Sequence, residues 1–140
     1  MTETIMALLI AIRVVESTDG LDVRADGNNY QITRVCVEDV NRIYGTRYRY
    51  PADVRDEETA QNIAFLYLAY YADVYRREHG RVPSKDTLAR IYNRGYRGAM
   101  RGEGAKYAAK VRKAAVFTKS RKNVNNSAAV PRRVNKETTK

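Results

Sequence analysis

The sequence predicts a mainly α-helical domain, and three observations support this. Apolar residues recur every three or four positions along several stretches, which places them on one helical face. Thr, Asp or Ser stands before those stretches and glycine stands after several of them, as helix caps and stops require. The one early segment lacking such a face, Ser17 to Asn29, is short and rich in Asp, Gly and Asn.

Ile5, Leu8, Leu9, Ile12 and Val15 define the first helix, from about Glu3 to the neighbourhood of Glu16, with Thr2 as its cap. Ser17 to Asn29 then reads as an irregular loop or small β-hairpin, placed to wall a cleft. Thr33 caps a second helix carrying Val37, Val40 and Ile43, and Gly45 closes it. Gly45 to Arg55, with Pro51, is a connection. Asp56 caps the longest helix, whose broad stripe runs from Ala60 through Ile63, Ala64, Tyr67, Tyr70 and Tyr71 to Val74, and His79-Gly80 ends it. Pro83-Ser84 opens a fourth helix through Leu88, Ile91 and Tyr92. Gly95 to Gly104 reads as a glycine-rich loop, and Ala105 to Val116 as a last short helix. From Thr118 onward apolar residues are too few to offset the entropy of ordering the chain. The expected organisation is a domain over residues 1–117 and a flexible basic tail over 118–140.

A length of 140 residues suits one domain with a real core. Twenty-six Lys and Arg against sixteen Asp and Glu give a net charge of +10, which favours polyanionic partners. The lone cysteine, Cys36, has no second cysteine to bridge to, so packing must hold the fold. Ile5 to Val15 is interrupted by Arg13 and preceded by Glu3, which fits neither a secretory leader nor a membrane span of about 20 apolar residues. Synthesis in the cytoplasm, without a signal peptide, is the expectation.

Four short stretches follow one another in a suggestive order. They are Glu16-Ser17 at a helix end, Tyr30-Gln31-Ile32 after the loop, Ile91-Tyr92-Asn93-Arg94-Gly95, and Tyr107-Ala108-Ala109-Lys110-Val111. This order resembles the lysozyme-like lytic transglycosylases, the group of the soluble lytic transglycosylases and goose-type lysozymes. Their pattern is Glu-Ser at a helix end, then Gly-Leu-Met-Gln-Ile, Ala-Tyr-Asn-Ala-Gly and Tyr-Val-x-x-Val. The resemblance spans Ala11 to Val111. It departs from the pattern at Asn28-Asn29-Tyr30, where the family has Gly-Leu-Met, and at Ile91, where the family has Ala.

The resemblance implies a lysozyme-like helical domain that cleaves the β-1,4 bond between N-acetylmuramic acid and N-acetylglucosamine in peptidoglycan. It assigns Glu16 as the catalytic acid, with Ser17, Tyr30, Gln31, Tyr92, Asn93 and Tyr107 shaping the substrate cleft. Independently of it, a general acid needs surroundings that disfavour the carboxylate. Glu16 follows an apolar stripe and sits near a helix C-terminus, and both push a carboxyl towards its protonated form. A hydrolase would also need a second carboxylate, for which Asp19, Asp22 and Asp26 stand nearby in sequence. In a lytic transglycosylase the sugar's own hydroxyl closes on the anomeric carbon, so a single Glu suffices.

Other features have plainer readings. Tyrosines between Tyr67 and Tyr75 read as core, with their hydroxyls reaching outward. His79, at a helix end, satisfies terminal carbonyls, and Cys36 is a small buried apolar residue. Gly95, Gly98, Gly102 and Gly104 interleave with Arg94, Arg97 and Arg101 but match no phosphate-binding fingerprint. No metal and no cofactor is expected. The partners expected are peptidoglycan glycan strands and, through the basic tail, an anionic wall polymer, a membrane surface or nucleic acid. A monomer is expected unless the protein belongs to a virion. A bacteriophage lysis enzyme or virion-borne wall-piercing protein fits this combination. The alternative is a catalytically silent, basic virion structural or nucleic-acid-binding protein on the same scaffold. A third reading, an amphipathic membrane-disrupting protein, rests on the first helix and the tail.

Overall fold

The computed structural model describes residues 1–17 and 28–128, and among these it holds five α-helices and no strand. The helices are α1 (Thr2–Glu16), α2 (Arg34–Tyr44), α3 (Glu57–His79), α4 (Lys85–Met100) and α5 (Ala105–Ala128). A 3-10 turn at Asp53–Arg55 precedes α3. The mainly α expectation therefore holds. The hairpin or loop expected after α1, together with Asp19, Asp22 and Asp26, lies outside the described residues.

Two of the three predicted caps, Thr33 and Asp56, are in place, and Ser84 caps the helix that Pro83-Ser84 was expected to open. The side chains of Thr33, Asp56 and Ser84 accept from the backbone amides of Cys36, Thr59 and Thr87. Each such cap stabilises its helix by about 1 kcal/mol. Gly45 and Gly80 close α2 and α3 in the left-handed conformation. Thr2, by contrast, is not a cap. The helix starts one residue earlier than expected, with Ile5 N–H already bonded to the Met1 carbonyl, so Thr2 sits inside the first turn.

Two helices extend beyond the sequence expectation. The predicted loop from Gly95 to Gly104 is mostly helix. Gly95 takes φ 74°, ψ 168°, a conformation essentially reserved for glycine, and it absorbs the whole kink, after which α4 resumes to Met100 with Gly98 and Ala99 buried. Likewise α5 does not stop at Val116 but runs to Ala128. No Gly or Pro interrupts that stretch, and Lys119, Arg121 and Lys122 within it are good helix formers. The Thr118 hydroxyl bonds back to the Ala114 and Ala115 carbonyls, keeping the boundary expected at 117/118 inside a continuous helix.

Helices α1, α3 and α4 pack on one another, α5 lies along α1 and α4, and α2 lies against α3. Ile12, Ile63, Leu68, Leu88 and Ile91 are fully buried at the centre, each stabilising the fold by roughly 1.5–3 kcal/mol. Tyr67 and Tyr75 are buried, and Tyr75 stacks on His79, whose Nδ1 meets the Tyr75 carbonyl at 3.2 Å. The plain readings of these residues agree with this arrangement. An ion pair between Arg13 and Glu57 ties α1 to the start of α3. Because α5 runs antiparallel to α1, its first turn meets Glu16 while Ala115 and Thr118 sit beside Ala7 and Leu8. Among the described residues no helix is long and apolar enough to cross a membrane.

Candidate active site

Glu16 is the last residue of α1, and the end of that helix is tightly fixed. Both the backbone N–H and the hydroxyl of Ser17 donate to the Arg13 carbonyl. Ser17 is only 1% exposed, so its role is to hold the helix end rather than to meet a ligand. One partner of Glu16 comes from the far end of the sequence. Tyr107, in the first turn of α5, donates its O–H to Glu16 Oε1 over 2.7 Å. Gly104 sets up that turn: it has φ 88°, and a Cβ there would press to 3.2 Å from the Arg90 backbone. Glycine thus lets the chain enter α5 in close contact with α4. Burial, with the charge of Glu16 and the hydrogen bond to it acting the same way, drives the Tyr107 pKa far above an ordinary phenol. Tyr107 therefore stays protonated and is a permanent donor to Glu16.

The second component is the turn that leads into α2. Asn28 clamps it: its side chain both accepts from the Ile32 amide and donates to the Ile32 carbonyl at 3.0 Å, and its own carbonyl accepts from the Gln31 amide. Gln31 is forced to φ 52°, the one non-glycine residue with positive φ among the described residues. Its Nε2 is buried and has no hydrogen-bond partner there. A left-handed backbone and an unsatisfied buried amide on one residue both cost stability.

Tyr92 joins the two components. Its hydroxyl donates to the Tyr30 carbonyl over 2.5 Å, fixing α4 to the turn. Its pKa is pushed well up, first by burial and then by nearby ionisable groups, of which Glu16 is the carboxylate. Glu16 and Tyr107 thus lie within electrostatic reach of Tyr92. The other side of Tyr92 lines a pocket of about 200 Å³ together with Gln31, Cys36, Asp39, Tyr67 and Asn93. That volume suits one substituent of a larger ligand, since whole-ligand sites usually run to roughly 300–1,000 Å³. Gly95 borders the same pocket, so the α4 kink shapes its rim.

Of the residues that the sequence points to, Glu16 and Tyr107 are hydrogen-bonded to each other, while Gln31, Tyr92 and Asn93 line a pocket whose wall includes neither Glu16 nor Tyr107. Tyr30 is not on a ligand-facing surface. At 2% exposure its ring belongs to the core, and its carbonyl is what the site uses. Cys36, Asp39 and Tyr67 line the pocket and were not anticipated there. The spacing of Cys36 and Asp39, three residues apart on α2, was the available signal that they share a face. Burial, then the charge of Asp39, pushes the Cys36 thiol up to about 12, so it is a poor nucleophile. Asp39 accepts from the Tyr71 hydroxyl at 3.2 Å and pairs with Arg42. Among the described residues no group of three or more His, Cys, Asp or Glu is placed to hold a metal ion.

No protein-family model, curated protein or solved structure matches this chain. Its geometry and chemistry are the basis for a functional reading.

Proposed function

We propose that this protein cleaves peptidoglycan glycan strands as a lysozyme-like lytic transglycosylase, with Glu16 as the acid and base. The observation that carries the reading is the Tyr107–Glu16 hydrogen bond. It unites two stretches of the resemblance at opposite ends of the domain around one carboxyl group. Tyr107 donates to Oε1 and so orients the carboxyl group. In the proposed reaction Glu16 gives its proton to the glycosidic oxygen as the bond from the anomeric carbon to that oxygen breaks. The sugar's own hydroxyl then attacks the anomeric carbon and returns its proton to Glu16. One anhydro end and one free hydroxyl result, and no water is consumed. Gln31, Tyr92 and Asn93 border a pocket sized for a ring substituent such as an acetamido group. The unpaired Gln31 Nε2 is a donor for its carbonyl.

Purified peptidoglycan, incubated with the full chain and examined by mass analysis, tests the proposal. Products with anhydro ends that disappear with Glu16→Gln are expected. Reducing ends would instead mark a hydrolase. Absence of any cleavage by a correctly folded chain would overturn the proposal in favour of the silent basic protein.

A further inference from the structure

The net charge is not spread over the molecule. Of the 26 Lys and Arg, ten lie between residues 105 and 136, a stretch with no Asp or Glu, and the other sixteen are matched by all sixteen acids. The whole of the +10 charge therefore sits on α5 and the residues that follow it. Within α5, Tyr107, Ala108, Val111, Ala115 and Thr118 face the protein, being buried or set in the groove against α1 and α4. Lys106, Lys110, Lys113, Phe117 and Arg121 recur at intervals of four, three, four and four, so they form one line along the opposite side. All five are exposed. That line is roughly 22 Å long at 1.5 Å per residue. Among the described ion pairs α5 contributes Arg112 alone, so the lysines on this line keep their full charge for a partner.

Cations alone would suit any polyanion. The apolar residues among them narrow the choice. Val116 is 65% and Phe117 55% exposed, the most exposed sequence-adjacent pair of large apolar residues among the described residues. Phosphate contacts of a nucleic acid gain nothing from Val116. Base stacking would have Phe117 alone on this line, with one face of its ring already taken by the Arg121 guanidinium, 4.7 Å from its centre. A bilayer interface uses both parts of the pattern, with apolar side chains entering the acyl boundary and Lys or Arg remaining with anionic headgroups. We infer that the outer face of α5 is a docking surface for an anionic membrane, with Val116 and Phe117 as the inserting pair and Lys106, Lys110, Lys113 and Arg121 as the headgroup contacts. The surface is separate from the Glu16 site and does not depend on its activity.

The chain contains no Trp, so Phe117→Trp supplies a single reporter at the proposed insertion point. Mixed with phosphatidylcholine vesicles containing about a third phosphatidylglycerol, its emission is expected to shift to the blue. Pure phosphatidylcholine should produce no shift. In flotation with the unsubstituted chain, Lys110→Glu with Lys113→Glu should abolish binding to the anionic vesicles. Val116→Ser with Phe117→Ser should weaken it about tenfold or more with no change in charge. These side chains are exposed, so an unchanged thermal melt will accompany each variant. Flotation that ignores the Val116 and Phe117 substitutions, an unshifted emission in the bound state, or tighter binding to duplex DNA than to anionic vesicles would overturn the inference. The last result would reassign α5 to nucleic acid.

Discussion

The Tyr107 hydroxyl donates to Glu16 Oε1 over 2.7 Å, linking residues 91 positions apart in the sequence. One ends α1 and the other stands in the first turn of α5, so the bond reports the antiparallel packing of these helices directly. A phenol that cannot ionise near neutrality is a lasting restraint on a carboxyl group. It holds one oxygen of that group in place.

Tyr107→Phe should therefore act on turnover more than on glycan binding. Loss of positioning for an acid–base group costs on the order of 10–100-fold in rate. The expected outcome is a fall in kcat of that size with KM nearly unchanged, and an altered pH profile. A purely structural role for Tyr107 would lower thermal stability and leave the kcat and pH profile of the folded fraction as they were.

Tyr92→Phe removes the donor to the Tyr30 carbonyl, a group enclosed by the core around the 2%-exposed Tyr30 ring. An unsatisfied buried acceptor costs about 1–3 kcal/mol. Equilibrium denaturation in urea should report a loss of that order with an unchanged m-value. No measurable loss would mean that the turn before α2 finds another donor.

Most of the helices were legible in the sequence because their signals are local. Thr33, Asp56 and Ser84 cap, and Gly45 and Gly80 stop, through bonds to backbone a few residues away. The extent of α4 and α5 was less legible. Gly95 looks like the start of a loop, yet it spends its freedom on a single kink, and the few apolar residues after Val116 do not exclude a helix in a stretch that lacks Gly and Pro. The site divides in the same way. Glu16, Tyr92 and Tyr107 are recognisable by their order in the chain, whereas the meeting of Glu16 and Tyr107 depends on helix packing that no local pattern encodes. Tyr30 illustrates the limit: its ring is buried and its carbonyl accepts from Tyr92, and side-chain identity carries no information about that.

Gly95→Ala probes the kink. At φ 74°, ψ 168° an alanine is strained by about 1–3 kcal/mol, although no neighbour crowds its Cβ. Differential scanning calorimetry should show a fall in Tm of about 3–10 °C. If α4 straightens to escape the strain, Asn93 and Tyr92 shift with it and KM for glycan rises. An alanine tolerated without either effect would show that the kink is not imposed by this backbone.

Alkaline pH should destabilise the fold through Cys36. Its pKa rises from an ordinary value of 9.0 in the open chain to about 12 in the fold, chiefly by burial. A raised folded value means that the unfolded chain ionises first. The stability from the neutral thiol is intact below about pH 9 and is lost progressively as pH rises towards 12. Tyr71, raised from 10.0 to about 12 by burial and by Asp39, adds to the decline in the upper part of that window. Cys36→Ala should flatten part of the stability–pH curve between pH 9 and 11. In the native chain the thiol should react with iodoacetamide at pH 8 about a thousandfold more slowly than in the unfolded chain, from the difference in thiolate population. Equal rates would show that the thiol is not protected.

Gln31 offers the sharpest separation of folding from function. Its positive φ costs a residue with a side chain roughly 1–2 kcal/mol, and its buried Nε2 has no partner among the described residues. Gly in its place relieves the backbone and removes the amide, against a smaller entropic cost of about 0.5–1 kcal/mol. Gln31→Gly should therefore be as stable as the parent chain or more stable by up to about 1 kcal/mol. If the amide serves a ligand in the adjoining pocket, the same substitution should raise KM for glycan about tenfold. Gln31→Ala completes the comparison, because it keeps the strained backbone and discards the amide. It should match Gln31→Gly in binding and fall below it in stability. Should both variants bind glycan as well as the parent, the amide has no ligand to serve, and the pocket beside Tyr92 must be removed from the proposed active site.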